Sequence, residues 1–345
     1  MKTSEDELLD PQELEPVTEL TRQILEQLDR ILLGQSELHR LVLIGILSRG
    51  HILLEGVPGV GKTALVKALG QLMNLTFNRV QFTPDLMPGD ILGSHILQEN
   101  QKGKREMSFE PGPIFTNILL ADEINRASPK TQSALLEAMQ ERCVTLMGQT
   151  RKLPHPFFVL ASQNPIELEG TYPLPEAQLD RFLFKLHVGQ ANTEVLENII
   201  RTRRRGEPPS PTWSLDAEML ERLFATLDRV FLPAAVARYI ARLVAATSPG
   251  ASEATEQVNA YVNYGASPRA AIAMAEAARA HALLDERPTV GFEDVRAIAP
   301  SVLNHRVLLN YQARFDKLDS LTVIQGLLDG MDEAGLNLTS DVSVA

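Results

Sequence analysis

A glycine-rich turn that ends in a lysine and a threonine has the clearest chemistry in this chain. Residues 56–63 read Gly-Val-Pro-Gly-Val-Gly-Lys-Thr, which matches the phosphate-binding sequence G-x-x-x-x-G-K-[ST]. Glycines allow backbone N–H groups to approach phosphate oxygens without a side-chain clash. Lys62 is expected to reach the β- and γ-phosphates of ATP, and the Thr63 hydroxyl is expected to bind Mg²⁺. The residues predicted to bind the nucleotide in this turn are Gly56, Val57, Pro58, Gly59, Val60, Gly61, Lys62 and Thr63.

Two adjacent carboxylates follow a short apolar segment further along the chain. Asp122 and Glu123 come directly after Ile118-Leu-Leu-Ala, so a buried strand would place both at the sheet edge where ligands bind. Asp122 is predicted to hold Mg²⁺, largely through water, because magnesium prefers oxygen ligands. Glu123 is predicted to polarise the water that attacks the γ-phosphate. The pair predicts ATP hydrolysis and not binding alone; the alternative is an Asp-Glu pair that merely begins a solvated loop.

Three further polar residues could contact the same nucleotide. Asn164 ends an apolar segment and could hold the attacking water, or it could be a turn residue before a proline. Arg181 could face an anion, or it could form a surface salt bridge with a neighbouring acid. Arg269 lies in the first turn of a predicted helix, where its charge opposes the helix dipole. That placement is explained if Arg269 faces a phosphate.

These residues lie at the ends of segments that are typical of strands and helices. Residues 52–54 are wholly apolar, as a buried parallel strand should be, and a helix is predicted over residues 62–73. Further strands are predicted over residues 76–82, 118–121, 157–161 and 182–186. Strands that alternate with helices predict an α/β fold with a parallel five-stranded sheet flanked by helices.

The remaining segments define the expected domain organisation. Two helices broken near Gly34 are predicted before the first strand, and hairpins are predicted near residues 93–110 and 145–151. Prolines and small residues at 206–211 predict a linker, beyond which only helices are predicted. We therefore expect a flexible acidic tail at 1–15, a nucleotide-binding domain at 16–205, a helical domain at 212–318 and a C-terminal tail at 319–345.

Composition and charge limit the possible functions. The chain has 345 residues and a net charge of −11, which disfavours broad binding to nucleic acids because a phosphate backbone is repelled. The only cysteine, Cys143, cannot form an intramolecular disulfide. The N-terminus is acidic where a secretion signal would be basic, and no apolar run is long enough to span a bilayer. We expect a soluble, cytoplasmic protein without a membrane span.

The chain resembles the AAA+ ATPases and, within them, the MoxR family. The resemblance covers residues 17–315. It is carried by residues 51–63 and 132–140, by Asn164-Pro165, by Ala-Asp-Glu-Ile-Asn-Arg-Ala at 121–127, and by Glu-Gly-Thr-Tyr-Pro-Leu-Pro-Glu-Ala-Gln-Leu-Asp-Arg-Phe at 169–182. It implies a P-loop AAA+ core followed by an all-helical lid domain.

The resemblance also implies roles for residues that spacing alone left open. It makes Asn164 the first sensor residue, Arg181 an arginine finger that acts on a neighbouring subunit's nucleotide, and Arg269 the second sensor residue, on the lid. The expected catalytic set is then Lys62, Glu123, Asn164, Arg181 and Arg269, with Thr63 and Asp122 at the metal and with Asp122 and Arg269 also contacting the nucleotide. ATP and Mg²⁺ are the expected cofactors.

The same resemblance implies partners. Family members look like homo-oligomers, typically hexameric rings with ATP at the subunit interfaces. They act as chaperone-like machines that mature or activate protein complexes, often with a protein that carries a von Willebrand factor A domain. Two alternatives remain open at this point: a motor that translocates nucleic acid, and an ATP-gated assembly scaffold with little turnover.

Overall fold

The computed structural model describes residues 8–57, 59–99, 105–165, 170–203 and 208–333 of the chain. These residues form two compact units. The first contains residues 19–223, and the second combines residues 8–18 with residues 224–333. The predicted linker at 206–211 lies partly outside the described residues, and the division between the units falls later, at Phe224.

The first unit is built on the predicted parallel sheet of five strands. In chain order the strands of the whole unit are β1 (Ile52–Glu55), β2 (Phe77–Gln81), β3 (Gly93–Glu99), β4 (Arg105–Pro111), β5 (Ile118–Asp122), β6 (Cys143–Leu146), β7 (Gln149–Lys152), β8 (Phe158–Gln163) and β9 (Phe184–His187). The sheet has the spatial order β2-β5-β8-β1-β9. Its central strands β1, β5 and β8 are buried almost throughout, because a parallel sheet is covered on both faces.

Helices flank this sheet, which confirms the predicted α/β architecture. They are α1 (Pro11–Ile31), α2 (Ser36–Leu47), α3 (Lys62–Leu72), α4 (Pro88–Leu92), α5 (Pro129–Glu141), α6 (Glu176–Leu179) and α7 (Thr193–Thr202). The break between α1 and α2 contains Gly34, as predicted. At the start of α5 the Ser128 hydroxyl accepts a hydrogen bond from the Thr131 N–H at 3.4 Å. Pro129 occupies the first helical position, where no N–H is needed.

The parallel register brings the carboxyl ends of the strands to one edge of the sheet. Asp122, the last residue of β5, lies opposite Gln81 of β2. Glu55 of β1 lies opposite Gln163 of β8. The glycine-rich turn, the two carboxylates and Asn164 each follow one of these strands, so the sheet itself gathers the residues in which the sequence predicted chemistry.

Both predicted hairpins are present beside the sheet. Strands β3 and β4 pair antiparallel, with Leu97 opposite Met107; residues 100–104 between them lie outside the described part of the chain. Strands β6 and β7 pair antiparallel around a turn at Met147 and Gly148, both of which have positive φ. The Arg151 guanidinium of β7 stacks 3.9 Å from the Phe109 ring centroid of β4, so the two hairpins contact each other.

The expectation of a flexible tail at residues 1–15 was wrong for the part that the structure describes. Helix α1 already begins at Pro11, and Leu9 and Leu14 are buried. Glu13 forms an ion pair with Arg229 at 2.9 Å, within the second unit. Two prolines suggested a loop, but Pro11 lies at the helix start, where its missing N–H costs nothing. Residues 1–7 lie outside the described part.

The second unit is mainly helical, as predicted. It contains the C-terminal end of α8 (Ala217–Asp228), followed by α9 (Ala234–Ala246), α10 (Glu256–Tyr261), β10 (Val262–Tyr264), α11 (Pro268–Leu284), α12 (Phe292–Leu303), β11 (Leu308–Leu309), α13 (Tyr311–Phe315) and α14 (Ser320–Gly330). The short strands β10 and β11 pair antiparallel, an element that the helical prediction missed. Two or three residues of strand are too few to give a periodic sequence signal.

A buried carboxylate joins α11 to α12 in this unit. The Asp294 side chain lies 2.6 Å from His281 Nδ1 and accepts a hydrogen bond from Arg287 Nη1 at 2.8 Å and from the Gly291 N–H at 2.7 Å. Burial acts to raise the pKa of Asp294, but the hydrogen bonds from His281 and Arg287 outweigh it and leave the pKa below its ordinary value. Asp294 therefore remains ionised and caps α12.

The expected C-terminal tail at 319–345 was also wrong for its described part. Helix α14 spans Ser320–Gly330 and buries Val323, Ile324, Leu327 and Leu328. These residues recur at helical spacing, a signal that the nearby glycines concealed. Residues 334–345 lie outside the described part of the chain.

Substitution of one buried residue of α14 tests this packing. Leu327 is 1% exposed, so Leu327→Ala is expected to lower the free energy of unfolding by about 2–5 kcal/mol. Leu321 on the same helix is 46% exposed, so Leu321→Ala is expected to change it by less than about 0.5 kcal/mol. Urea titrations followed by circular dichroism measure both values. Equal effects of the two substitutions would show that α14 is not packed as described.

Candidate functional site

The glycine-rich turn leaves β1 and leads directly into α3. The Gly56 N–H donates to the Gln163 carbonyl at 3.2 Å, which ties the start of the turn to β8. Gly59 and Gly61 have φ values of +85° and +92°, a region that residues with a Cβ rarely adopt. The turn therefore requires glycine at both positions. Pro58 lies outside the described residues.

Lys62 lies at the first position of α3, and its side chain points back into the turn. Its Nζ donates to the Gly56 carbonyl at 2.6 Å, and the residue is buried. Burial lowers the pKa of the Lys62 ammonium, while the nearby Asp122 and Glu123 carboxylates act to raise it. The positive charge is thus placed where backbone N–H groups and the start of a helix already favour an anion.

Asp122 ends β5 with both carboxylate oxygens engaged. Oδ1 accepts a hydrogen bond from the Ser162 hydroxyl of β8. Oδ2 accepts hydrogen bonds from two guanidinium nitrogens of Arg79 on β2, Nη2 at 2.7 Å and Nε at 3.2 Å. Asp122 is therefore held between the two strands that flank it in the sheet.

Glu123 adopts a left-handed backbone conformation, with φ of +55°. This conformation costs a residue with a side chain on the order of 1–3 kcal/mol and persists only where neighbouring contacts hold it. Here the Glu123 N–H donates to Ser162 Oγ at 2.9 Å, and Oε2 accepts from Arg126 Nη1 at 2.9 Å. Ser162 thus contacts both acidic residues, Asp122 through its side chain and Glu123 through its backbone.

The structure brings seven of the predicted site residues into one cleft of about 360 Å³. Its lining residues are Gly59, Gly61, Lys62, Thr63, Ala64, Arg79, Gln81, Asp122, Glu123 and Asn164. Thr63 and Asp122 supply the oxygen ligands that Mg²⁺ prefers, and Lys62 supplies a cation for phosphate oxygens. The residues present therefore fit a magnesium–nucleotide complex.

A second cavity of about 500 Å³ adjoins the cleft. It shares Gly59, Gly61 and Ala64 with the cleft and is otherwise lined by Leu32, Leu33, Gln35, Val57, Val60, Gln190, Ala191, Leu196, Ile199, Arg203 and Pro208. The mainly apolar lining suits a flat aromatic ring. The Gln35 side-chain amide lies 3.3 Å from the Gly189 carbonyl and adds a polar group that could read the edge of such a ring.

Arg181 and Arg269 are placed differently from these residues. Arg181 follows α6, and its Nη1 donates to the Leu136 carbonyl of α5 at 2.6 Å. It is not among the residues that line the cleft of this subunit. Arg269 lies in the first turn of α11 in the second unit, and its N–H donates to the capping Ser267 hydroxyl at 3.2 Å.

The sequence prediction missed several residues of this site. Arg79 lies on an edge strand where polar and apolar residues mix, and Ser162 lies within an apolar strand; neither belongs to a pattern with recognised chemistry. The second cavity combines residues 32–35 with residues 190–208, which only the tertiary fold brings together. One signal was available in the sequence: α7 is strongly amphipathic, and its apolar residues Leu196 and Ile199 line the second cavity.

Comparison with known proteins matches both parts of the chain. The family described as "ATPase family associated with various cellular activities (AAA)" matches residues 51–184, and the family described as "AAA lid domain" matches residues 254–325. None of the helices in the described part of the chain has the length and apolarity that crossing a bilayer requires.

Individual proteins resemble this chain over most of its length. "Chaperone MoxR1" of Mycobacterium tuberculosis is 46% identical, over 90% of this chain and 81% of that protein. "Uncharacterized protein YeaC" of Bacillus subtilis is 41% identical, over 89% and 92%. A crystal structure from Cytophaga hutchinsonii, of a protein that is an ATPase by name, superposes with a TM-score of 0.84 at 39% identity and covers 93% of this chain and 97% of its own.

Proposed function

Because this chain belongs to the MoxR family of AAA+ ATPases, we propose that it hydrolyses ATP with Mg²⁺ as part of a homo-oligomeric ring. The observation that carries this proposal is the cleft in which Lys62, Thr63, Asp122, Glu123 and Asn164 meet. A cation for phosphate, oxygens for a metal, and a carboxylate and an amide for water are the groups that phosphoryl transfer to water requires.

The predicted site residues of the cleft each have a proposed task. Lys62 and the backbone N–H groups of the turn bind the phosphates, and the Thr63 hydroxyl and Asp122 hold the metal. When bound, Mg²⁺ would neutralise charge on the β- and γ-phosphate oxygens. Glu123 orients the attacking water and receives its proton, and Asn164 holds that water in line.

The adjoining cavity is the proposed site of the adenine ring. Its apolar lining excludes water from the faces of the base, and Gln35 offers a hydrogen-bonding amide. Because the cavity shares Gly59 and Gly61 with the cleft, one nucleotide can occupy both. Arg203 also lines this cavity, and its Nη2 donates to the Ile31 carbonyl at 2.6 Å.

The two arginines outside the cleft are proposed to act on a nucleotide through other surfaces. Arg181 is proposed to reach the nucleotide of a neighbouring subunit in a hexameric ring, and Arg269 is proposed to act from the helical lid. The ring is proposed to remodel or activate partner protein complexes in the cytoplasm, with a protein that carries a von Willebrand factor A domain as one partner. Support comes from the family and from the word "chaperone" in the name of one relative.

A phosphate-release assay on the purified full chain tests this function. We expect release from ATP that requires Mg²⁺ and that disappears in Lys62→Ala, whose phosphate-binding cation is gone. Light scattering after gel filtration, with and without a slowly hydrolysed ATP analogue, measures the ring. Absence of Mg²⁺-dependent release, or of any multimer with nucleotide, would contradict the proposal. Stimulation by DNA at physiological salt would favour the nucleic-acid motor instead.

A further inference from the structure

The two oxygens of the Asp122 carboxylate differ in how firmly their partners are held. Oδ1 accepts from Ser162, which is completely buried and also binds the Glu123 N–H at 2.9 Å. This contact cannot be exchanged without moving β8 or the backbone of Glu123. Oδ2 accepts from Arg79, whose side chain is 46% exposed. Only the partner of Oδ2 is therefore free to leave.

Arg79 belongs to the same cleft as the phosphate-binding residues. It lines the cleft with Lys62 and Asp122, and its Nη2 donates to Gln81 Oε1 at 2.9 Å as well as to Asp122. Charge-assisted hydrogen bonds of this kind are strong and directional. At a partly exposed position, however, water and ions screen the pair, so a competing cation can replace the guanidinium.

The proposed function requires that replacement. If Asp122 holds magnesium, the cation or one of its bound waters must reach the carboxylate on the side that Ser162 does not hold. That side is the one that Arg79 occupies. A guanidinium and a metal cannot both bind one carboxylate oxygen at full strength, because the two cations repel each other.

We propose that Arg79 is a positioning residue that serves as the resting counter-ion of Asp122 and gives up Oδ2 when Mg²⁺ and ATP bind. Before binding, Arg79 keeps the carboxylate oriented into the cleft and cancels a negative charge that would repel ATP phosphates. On binding, the metal takes that place. This inference rests on the proposed Mg²⁺-dependent binding of ATP and adds a residue that controls the coupling between metal and nucleotide.

The coupling is measured as a ratio, the affinity for nucleotide with Mg²⁺ divided by the affinity without it. Calorimetry of the full chain gives the affinity for the slowly hydrolysed analogue ATPγS in millimolar Mg²⁺ and in EDTA. In Arg79→Gln the affinity in EDTA should fall, because Asp122 is then an uncompensated anion near the phosphates. The gain from Mg²⁺ should rise, because no guanidinium has to be displaced. We expect the ratio to increase about fivefold or more over wild type, within the usual range of coupling between two ligands.

Arg126→Gln is the matched control. It likewise removes one positive charge, from an arginine whose Nη1 donates to Glu123 Oε2. Its ratio should stay within about twofold of wild type, since Mg²⁺ does not compete with its contact. If Arg126→Gln raises the ratio as much as Arg79→Gln does, general electrostatics and not the Asp122 contact is responsible, and the proposal is wrong.

Arg79→Lys keeps the charge but not the two-nitrogen contact, so its ratio should lie between those of wild type and Arg79→Gln. If Arg79→Gln does not fold, a wild-type ratio in Arg79→Lys overturns the proposal. The wild-type titration separates the two hypotheses. Wild type that binds ATPγS more tightly with Mg²⁺ supports the proposed function whatever Arg79 does, and wild type that binds no ATPγS under either condition overturns both.

Discussion

Replacement of Glu123 with glutamine is expected to slow ATP turnover about 10²–10⁴-fold and to leave nucleotide affinity close to that of wild type. Glutamine has the same shape but cannot accept the proton of the attacking water. The side chain lines the cleft without being one of the proposed metal ligands. Phosphate release measures turnover, and calorimetry with ATPγS measures affinity.

The backbone around Glu123 makes this substitution a clean test. Its left-handed conformation is held by Ser162 through the backbone N–H, a contact that glutamine retains. Glu137→Gln is the control, because Glu137 is an exposed acid on α5 of the same unit. This variant should turn over ATP at the rate of wild type. Turnover of Glu123→Gln within about tenfold of wild type would remove Glu123 from the role of base.

Much of the fold could be predicted because burial leaves a direct trace in the sequence. The segments at β1, β5 and β8 are apolar almost throughout, which is the pattern of strands covered on both faces. Once these strands are parallel, the residues that follow them must meet at one edge. The meeting of Lys62, Asp122 and Asn164 is therefore a consequence of the strand pattern.

The rest of the site could not be predicted because its residues have structural meaning only in three dimensions. Ser162 is a small polar residue within an apolar strand, and its two partners lie on a neighbouring strand and the residue that follows it. Arg79 resembles any solvated arginine of an edge strand until the sheet order β2-β5 places it beside Asp122. The predictions for the two chain ends were wrong for a different reason. Prolines and glycines suggested flexible tails, but α1 begins at Pro11 and α14 contains Gly326 and Gly330.

Arg181, unlike Arg79 and Ser162, was predicted from the sequence as a site residue. Its predicted role concerns the nucleotide of a neighbouring subunit. The guanidinium is held by the Leu136 carbonyl at 2.6 Å, and its buried Nε has no hydrogen-bond partner among the residues that the structure describes. The contact fixes the arginine on the unit that carries the cleft, yet Arg181 is not part of that cleft. Burial of a guanidinium nitrogen without a hydrogen bond is unfavourable. The arrangement suggests that Arg181 binds a ligand supplied from outside the subunit.

Arg181→Ala is accordingly expected to lower ATP turnover about 10³–10⁵-fold, the range that arginine fingers contribute in other P-loop enzymes. Affinity for ATPγS should change much less, because the cleft of each subunit keeps all of its own residues. Arg181→Lys, which keeps a charge but loses the planar fork, should recover only part of the activity. Unchanged turnover in Arg181→Ala would exclude the arginine from catalysis.

Mixing two inactive variants distinguishes action on a neighbour from action within the subunit. Arg181→Ala subunits retain Lys62, and Lys62→Ala subunits retain Arg181, so an interface between one of each has an intact cleft and an intact arginine. In a head-to-tail ring, about one interface in four is complete at equal proportions. Turnover should therefore be near zero for either variant alone and highest when the two variants are mixed in equal amounts. If no proportion restores turnover, although gel filtration shows mixed rings, the arginine does not act across the interface, and its contact with Leu136 is structural.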